Sequence, residues 1–125
     1  MRVLLDTHIL YWWFYDTDRL SPAATATVRG ADEVLVSSVS IWEIAIKVGL
    51  GKMRADLEQI LKLIAENDFQ ELPISHRHAS GVVGLPMHHN DPFDRLLIAQ
   101  AMSESLHLLT ADTQLKPYSD LVLCV

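Results

Sequence analysis

Four acidic residues carry the strongest chemical signal: Asp6 in LLDTHIL, Glu43 in SIWEIAIK, Asp94 in DPFDRLLIAQA and Asp112 in LLTADTQL. Each stands where an apolar strand ends or a helix begins. Carboxylates gathered in one place repel one another, and the repulsion grows as water is removed, so a fold that gathers them usually holds cations between them. A divalent-metal site is the leading expectation, provided that the fold brings the four acids to one place.

Each acid also has an ordinary structural use. Ser40-Ile41-Trp42-Glu43 matches a capping box, and Glu43 with Lys47 is an i, i+4 pair. Asp94 in a first helical turn is favoured by the helix dipole. Asp91, followed by Pro92, already supplies the cap, which leaves Asp94 free to face a cleft. Asp6 ends an apolar strand where Thr7 can begin the next turn without it, the weakest structural reason of the four. Asp112 suits a turn or a cap before Thr113-Gln114-Leu115. Among the six histidines none shows zinc spacing with cysteine; His88 and His89 precede the Asp91 helix and either touch substrate or are solvated. The aromatic block Tyr11 to Tyr15 suits core packing or a partner surface, with base stacking as the alternative. Ser37, Ser38 and Ser40 have no nearby histidine to activate them, and no phosphate-binding glycine motif is present.

The elements that must position the acids alternate. Residues 2 to 5 read as a buried strand, and Ser21-Pro22 opens an alanine-rich helix that Gly30 closes. EVLVSS (33 to 38) is the next strand, and Ser40 caps a helix with Ile41, Ile44, Ala45 and Val48 at helical spacing, ended at Gly49-Leu50-Gly51. Asp56 begins a helix with Leu57, Ile60, Leu61 and Ile64 on one face. QELPI (70 to 74) is a strand or edge segment, and Ser75 to Val83 a short helix. Asp91 then caps the clearest helix, which runs to about Ser105. LHLLT (106 to 110) and DLVLCV (120 to 125) complete the strands. Such alternation predicts an α/β fold, a parallel sheet with helices on both faces. Ligands of such sheets bind beyond the carboxyl ends of the strands, where the following helices begin. All four acids fall on that edge.

Length and composition set the frame. The 125 residues make one domain, residues 1 to 125, with 50% hydrophobic and 21% charged content and no enrichment of glycine or proline. A single cysteine, Cys124, and an amino terminus without a cleavage pattern point to a reducing, cytoplasmic setting. No apolar run suffices to span a bilayer, so no membrane partner is expected. The net charge of −6 repels nucleic acid, and the basic residues form no run, so a phosphate-bearing substrate needs local help from metal ions or a partner.

LLDTH with its aromatic stretch, VSSVSIWEIAIKVGLGK, LPMHHNDPFDRLLIAQA and LLTADTQL together resemble the PIN-domain proteins, specifically the toxin ribonucleases of bacterial VapBC-type toxin–antitoxin pairs. The similarity covers nearly the full length, and HHNDPFDRLLIAQA after WEIAIK is its most specific part. The resemblance implies a PIN-like three-layer fold and Mg²⁺- or Mn²⁺-dependent cleavage of RNA. It also implies inhibition by a co-encoded antitoxin, and homodimers. Carried over by position, Asp6, Glu43, Asp94 and Asp112 match the family's acidic quartet, with Asp91, His88 and His89 as neighbours. On this reading Asp6 and Asp94 hold the principal ion, Asp112 joins the same or a second one, and Glu43 binds metal or orients the attacking water.

Two competing readings remain. A receiver-like signalling module also clusters acids around Mg²⁺, and Lys116-Pro117 superficially matches its lysine-proline; here, though, ADTQL precedes the pair and Asp6 lacks an acidic neighbour. A catalytically silent PIN-fold interaction protein would use the apolar surface alone.

Overall fold

The computed structural model describes all 125 residues. The strands β1 (Arg2–Leu5), β2 (Glu33–Ser37), β3 (Gln70–Leu72), β4 (His107–Thr110) and β5 (Val122–Cys124) form one sheet. Its spatial order is β3-β2-β1-β4-β5, and every pairing is parallel. The chain walks outward from β1 to β3, then returns to the other side of β1 for β4 and β5. The order therefore reverses between β1 and β4, which opens a crevice at their carboxyl ends.

Six helices cover the sheet: α1 (Thr7–Tyr15), α2 (Pro22–Gly30), α3 (Ser38–Gly49), α4 (Leu57–Glu66), α5 (His76–Gly81) and α6 (Pro92–Glu104). Alternation along β1 explains the layers, because successive side chains point to opposite faces. Val3 and Leu5 join Ile9, Leu10, Val28, Ile44 and Ile60 in one core, beneath α1 to α4. Leu4 joins Leu35, Leu97, Ile98 and Leu108 in the other, beneath α6. No helix is long and apolar enough to cross a membrane.

Two local expectations are corrected. The strand expected over 33 to 38 stops at Ser37, whose hydroxyl caps α3 by accepting from the Val39 N–H at 3.0 Å. Ser40 therefore lies inside the helix, so it forms no capping box with Glu43; its hydroxyl accepts from Thr7 Oγ1 at 3.0 Å and ties α3 to α1. Residues 7 to 15, read from sequence only as a turn and an aromatic block, form α1. The helix starts because Asp6 caps it, accepting from the His8 N–H at 2.7 Å. The aromatic block packs: Trp13 and Phe14 sit 6.4 Å and 6.0 Å from Phe69, centroid to centroid. A capping box does form at α5, between Ser75 and His78.

Candidate active site

Asp6 leaves β1 directly into the crevice. Its N–H extends the ladder to Leu109 O at 3.0 Å, and its carboxylate is gripped from two sides. One oxygen caps α1; the other accepts from Thr110 Oγ1 at 2.5 Å. Thr110 Oγ1 in turn accepts from the Asp112 N–H at 3.0 Å, so one hydroxyl joins the ends of β1 and β4. Asp112 caps the following 3-10 turn through the Gln114 N–H at 2.9 Å. Both Asp6 and Asp112 thus carry structural bonds as well, and Asp6 has a stronger structural reason than its sequence suggests.

Glu43 projects from α3 and is 3% exposed. Its Oε2 accepts from Lys47 Nζ at 2.7 Å, the i, i+4 pair expected from sequence. Its Oε1 is buried with no hydrogen-bond partner. Buried carboxylate oxygens are normally satisfied, so an orphan one asks for a cation or an ordered water. Asp94 stands in the first turn of α6, while Asp91 caps it by accepting from the Phe93 and Asp94 N–H groups at 2.8 Å and 3.2 Å. His89 Nε2 lies 3.0 Å from Asp94 Oδ2 and 3.9 Å from Asp112 Oδ2.

The charges interact across elements. Burial raises the Asp6 carboxyl above the usual range, opposed by the Thr110 hydroxyl and the His8 N–H and reinforced by Glu43. Asp94 is pushed up to about 7, first by burial, then by the charges of Asp6 and Asp91, against the His89 hydrogen bond, with Glu43 adding to the rise. Asp6, Glu43 and Asp94 therefore form one repelling cluster. Asp112 meets it through His89 and shares with Asp6 a cleft of about 310 Å³, lined also by His8, Trp12, Arg19 and Ala111. All four sequence-selected acids are brought to this one edge. Their hard oxygen donors, the orphan Glu43 oxygen and the two raised carboxyls are what a divalent cation would satisfy.

Sequence reasoning passed over the supports. Thr110 could have been noticed, since it ends a strand two residues before Asp112. Arg95 had no visible signal: although basic, it is buried, and donates to the carbonyls of Val82, Leu85, Pro86 and His89 and to Tyr118 Oη. Tyr118 Oη accepts from the His89 N–H at 2.8 Å, so Arg95 and Tyr118 together pin the loop that aims His89 at Asp94. His88 instead packs edge-on against Tyr118 at 5.0 Å. Lys116 lies within the 3-10 turn between β4 and β5 and not at a strand end.

The comparisons with known proteins agree with this architecture. The PIN domain family model matches residues 3–121. The chain is 33% identical over 119 residues to Ribonuclease VapC22 of Mycobacterium tuberculosis, covering 93% of this chain and 91% of that protein. Its fold is similar to that in the crystal structure of VapBC2 from Rickettsia felis bound to a promoter DNA fragment, with TM-score 0.72, 15% identity, and coverage of 100% and 98% of the two chains. It is likewise similar to that in FitAcB from Neisseria gonorrhoeae, with TM-score 0.63, 18% identity, and coverage of 90% and 88%. With the parallel sheet, the acids at its reversal point and a family match spanning nearly the whole length, the chain belongs to the PIN-domain family.

Proposed function

We propose that the protein is a divalent-metal-dependent endoribonuclease, the toxin of a type II toxin–antitoxin pair, that hydrolyses RNA phosphodiesters at Asp6, Glu43, Asp94 and Asp112. The observation that carries this reading is the buried Glu43 oxygen left without a partner inside a cluster of repelling carboxylates. The kinship with a protein named a ribonuclease supports the reaction class.

Mg²⁺ or Mn²⁺ suits the donor set, and an ion there supplies positive charge for in-line attack of water on phosphorus. Asp6 and Asp94 would be its main holders. Thr110 fixes Asp6, and His89, on a loop that Arg95 and Tyr118 immobilise, fixes Asp94 at the start of α6, so two carboxylates on different elements are held in place. Asp112 adds a third carboxylate at the more open side of the cleft. Lys47 anchors one oxygen of Glu43 and leaves the other for the ion or the attacking water.

An antitoxin partner is supported by the solved structures of similar fold, one of which is named a toxin–antitoxin complex. It is supported too by Trp42 and Ile46 on α3 and Leu50 at its C-cap, exposed apolar residues four apart that form a stripe able to pack on a second helix. Homodimerisation belongs to the same reading. Purified protein should cleave structured RNA with Mg²⁺ or Mn²⁺ and lose that activity in EDTA. Equal cleavage by wild type and Asp6→Asn would rule out the assigned site. Expression alone in a bacterium should arrest growth, and Asp94→Ala should relieve the arrest.

A further inference from the structure

The cleft between β1 and β4 is lined by two chemically different sets of side chains. Asp6 and Asp112 line it with carboxylates, while His8, Trp12 and Arg19 line it with aromatic and basic groups, His8 Nδ1 lying 3.8 Å from Asp6 Oδ1. The His8 and Trp12 rings lie 5.8 Å apart, centroid to centroid, and the Arg19 guanidinium carbon sits 5.8 Å from the centre of the Trp12 ring. Arg19 pairs with Asp16 at 3.5 Å through Nε, and its side chain stays 66% exposed. Elsewhere the basic groups near the acids are committed, Lys47 to Glu43 and Arg95 to backbone carbonyls. Arg19 is thus the cation in the cleft of a protein with net charge −6.

Resting on the nuclease reading above, we propose that Trp12, His8 and Arg19 form a nucleotide subsite for single-stranded RNA beside the carboxylate cluster. The base adjoining the scissile phosphate stacks on Trp12 and His8, and Arg19 takes a flanking phosphate. Single strands suit this lining, because stacking on an aromatic face requires an unpaired base, and an arginine beside an indole serves stacking and phosphate binding together. Such a subsite has a broad sequence tolerance, since every base offers a π face.

The test measures binding of fluorescein-labelled single-stranded RNA decanucleotides by anisotropy, with Ca²⁺ in place of Mg²⁺, across a salt series. Arg19→Ala, at an exposed position, should weaken binding about ten-fold and lower the slope of log K against log salt by about 0.7. Trp12→Leu should weaken it about ten-fold, while Trp12→Phe stays within about three-fold. Arg29→Ala, on α2, should bind as wild type. In cleavage assays Arg19→Ala should raise KM and spare kcat, the signature of lost ground-state binding. Unchanged affinity and salt slope in Arg19→Ala and Trp12→Leu, with a wild type that binds Mn²⁺ and cuts RNA, overturns the subsite alone. A wild type that neither binds Mn²⁺ nor cuts RNA overturns the nuclease reading itself.

Discussion

Thr110 and Glu43 handle buried polarity in opposite ways. The Thr110 hydroxyl donates to Asp6 and accepts from the Asp112 backbone, so both its bonding capacities hold carboxylate-bearing residues in place. Thr110→Val should lower Mn²⁺ affinity about 10- to 100-fold by calorimetry, the usual effect of losing an outer support to a metal ligand, while Thr110→Ser keeps it. Asp94 trades stability for chemistry. With its carboxyl pushed up to about 7, the metal-free protein at pH 8 must ionise a group the fold would keep neutral. Asp94→Asn should therefore raise the melting temperature of the metal-free protein at pH 8 while abolishing metal-dependent cleavage. A lower melting temperature would show that the ionised carboxylate is satisfied without an ion.

Helix α6 does two jobs, and both use polar residues on a face that packs inward. Gln100 is fully buried, accepts from Ser37 Oγ at 2.5 Å and donates to Pro73 O at 3.4 Å, which joins α6 to the end of β2 and to the segment after β3. Gln100→Leu would leave the Ser37 O–H without its acceptor and the Pro73 carbonyl without this donor. Urea unfolding should show a loss of about 1–3 kcal/mol. Helix α3 ends where Gly51 takes φ +72°, a conformation that a side chain disfavours, as the glycine pair in its sequence predicts. Helix α1 escaped sequence reading because Tyr11 to Tyr15 is apolar at every position and shows no 3.6-residue period. Its outer face is covered by Phe69 and by the segment before α4, where Tyr11 Oη donates to Arg54 O at 2.8 Å.

At the scale of the whole molecule, pH and metal are linked. Asp94, raised to about 7, and Asp6, raised by burial, each hold a proton in the folded metal-free protein over a range where the unfolded chain has released it. Their contribution to stability is complete below the ordinary carboxylate pKa, fades as pH climbs, and is lost above about 7 for Asp94. Melting temperature in EDTA should fall between about pH 5 and pH 8, and Mn²⁺ should shrink that fall by compensating the charge. A flat profile in EDTA would mean that neither burial nor the neighbouring charges raise these two carboxyls. The net charge of −6 also predicts that, without a divalent ion, RNA binding is weak and worsens little with added salt.

Strand alternation, the helix caps at Ser21, Asp56 and Asp91, and the positions of Asp6 and Asp112 just past strand ends and of Asp94 in a first helical turn were set by local sequence, because propensity, capping and periodicity are short-range effects; Glu43, expected in a first turn, lies in the second turn of α3 because that helix starts at Ser38. These were enough to predict a parallel α/β sheet with the acids on one edge. What the sequence left open was decided by contacts between distant segments: the β3-β2-β1-β4-β5 order that puts Asp6 beside Thr110, the buried service of Arg95 and Gln100, and the orphan oxygen of Glu43. A polar residue looks solvent-exposed in a one-dimensional pattern. Only the packed interior shows whether it has found a partner or is waiting for a cation.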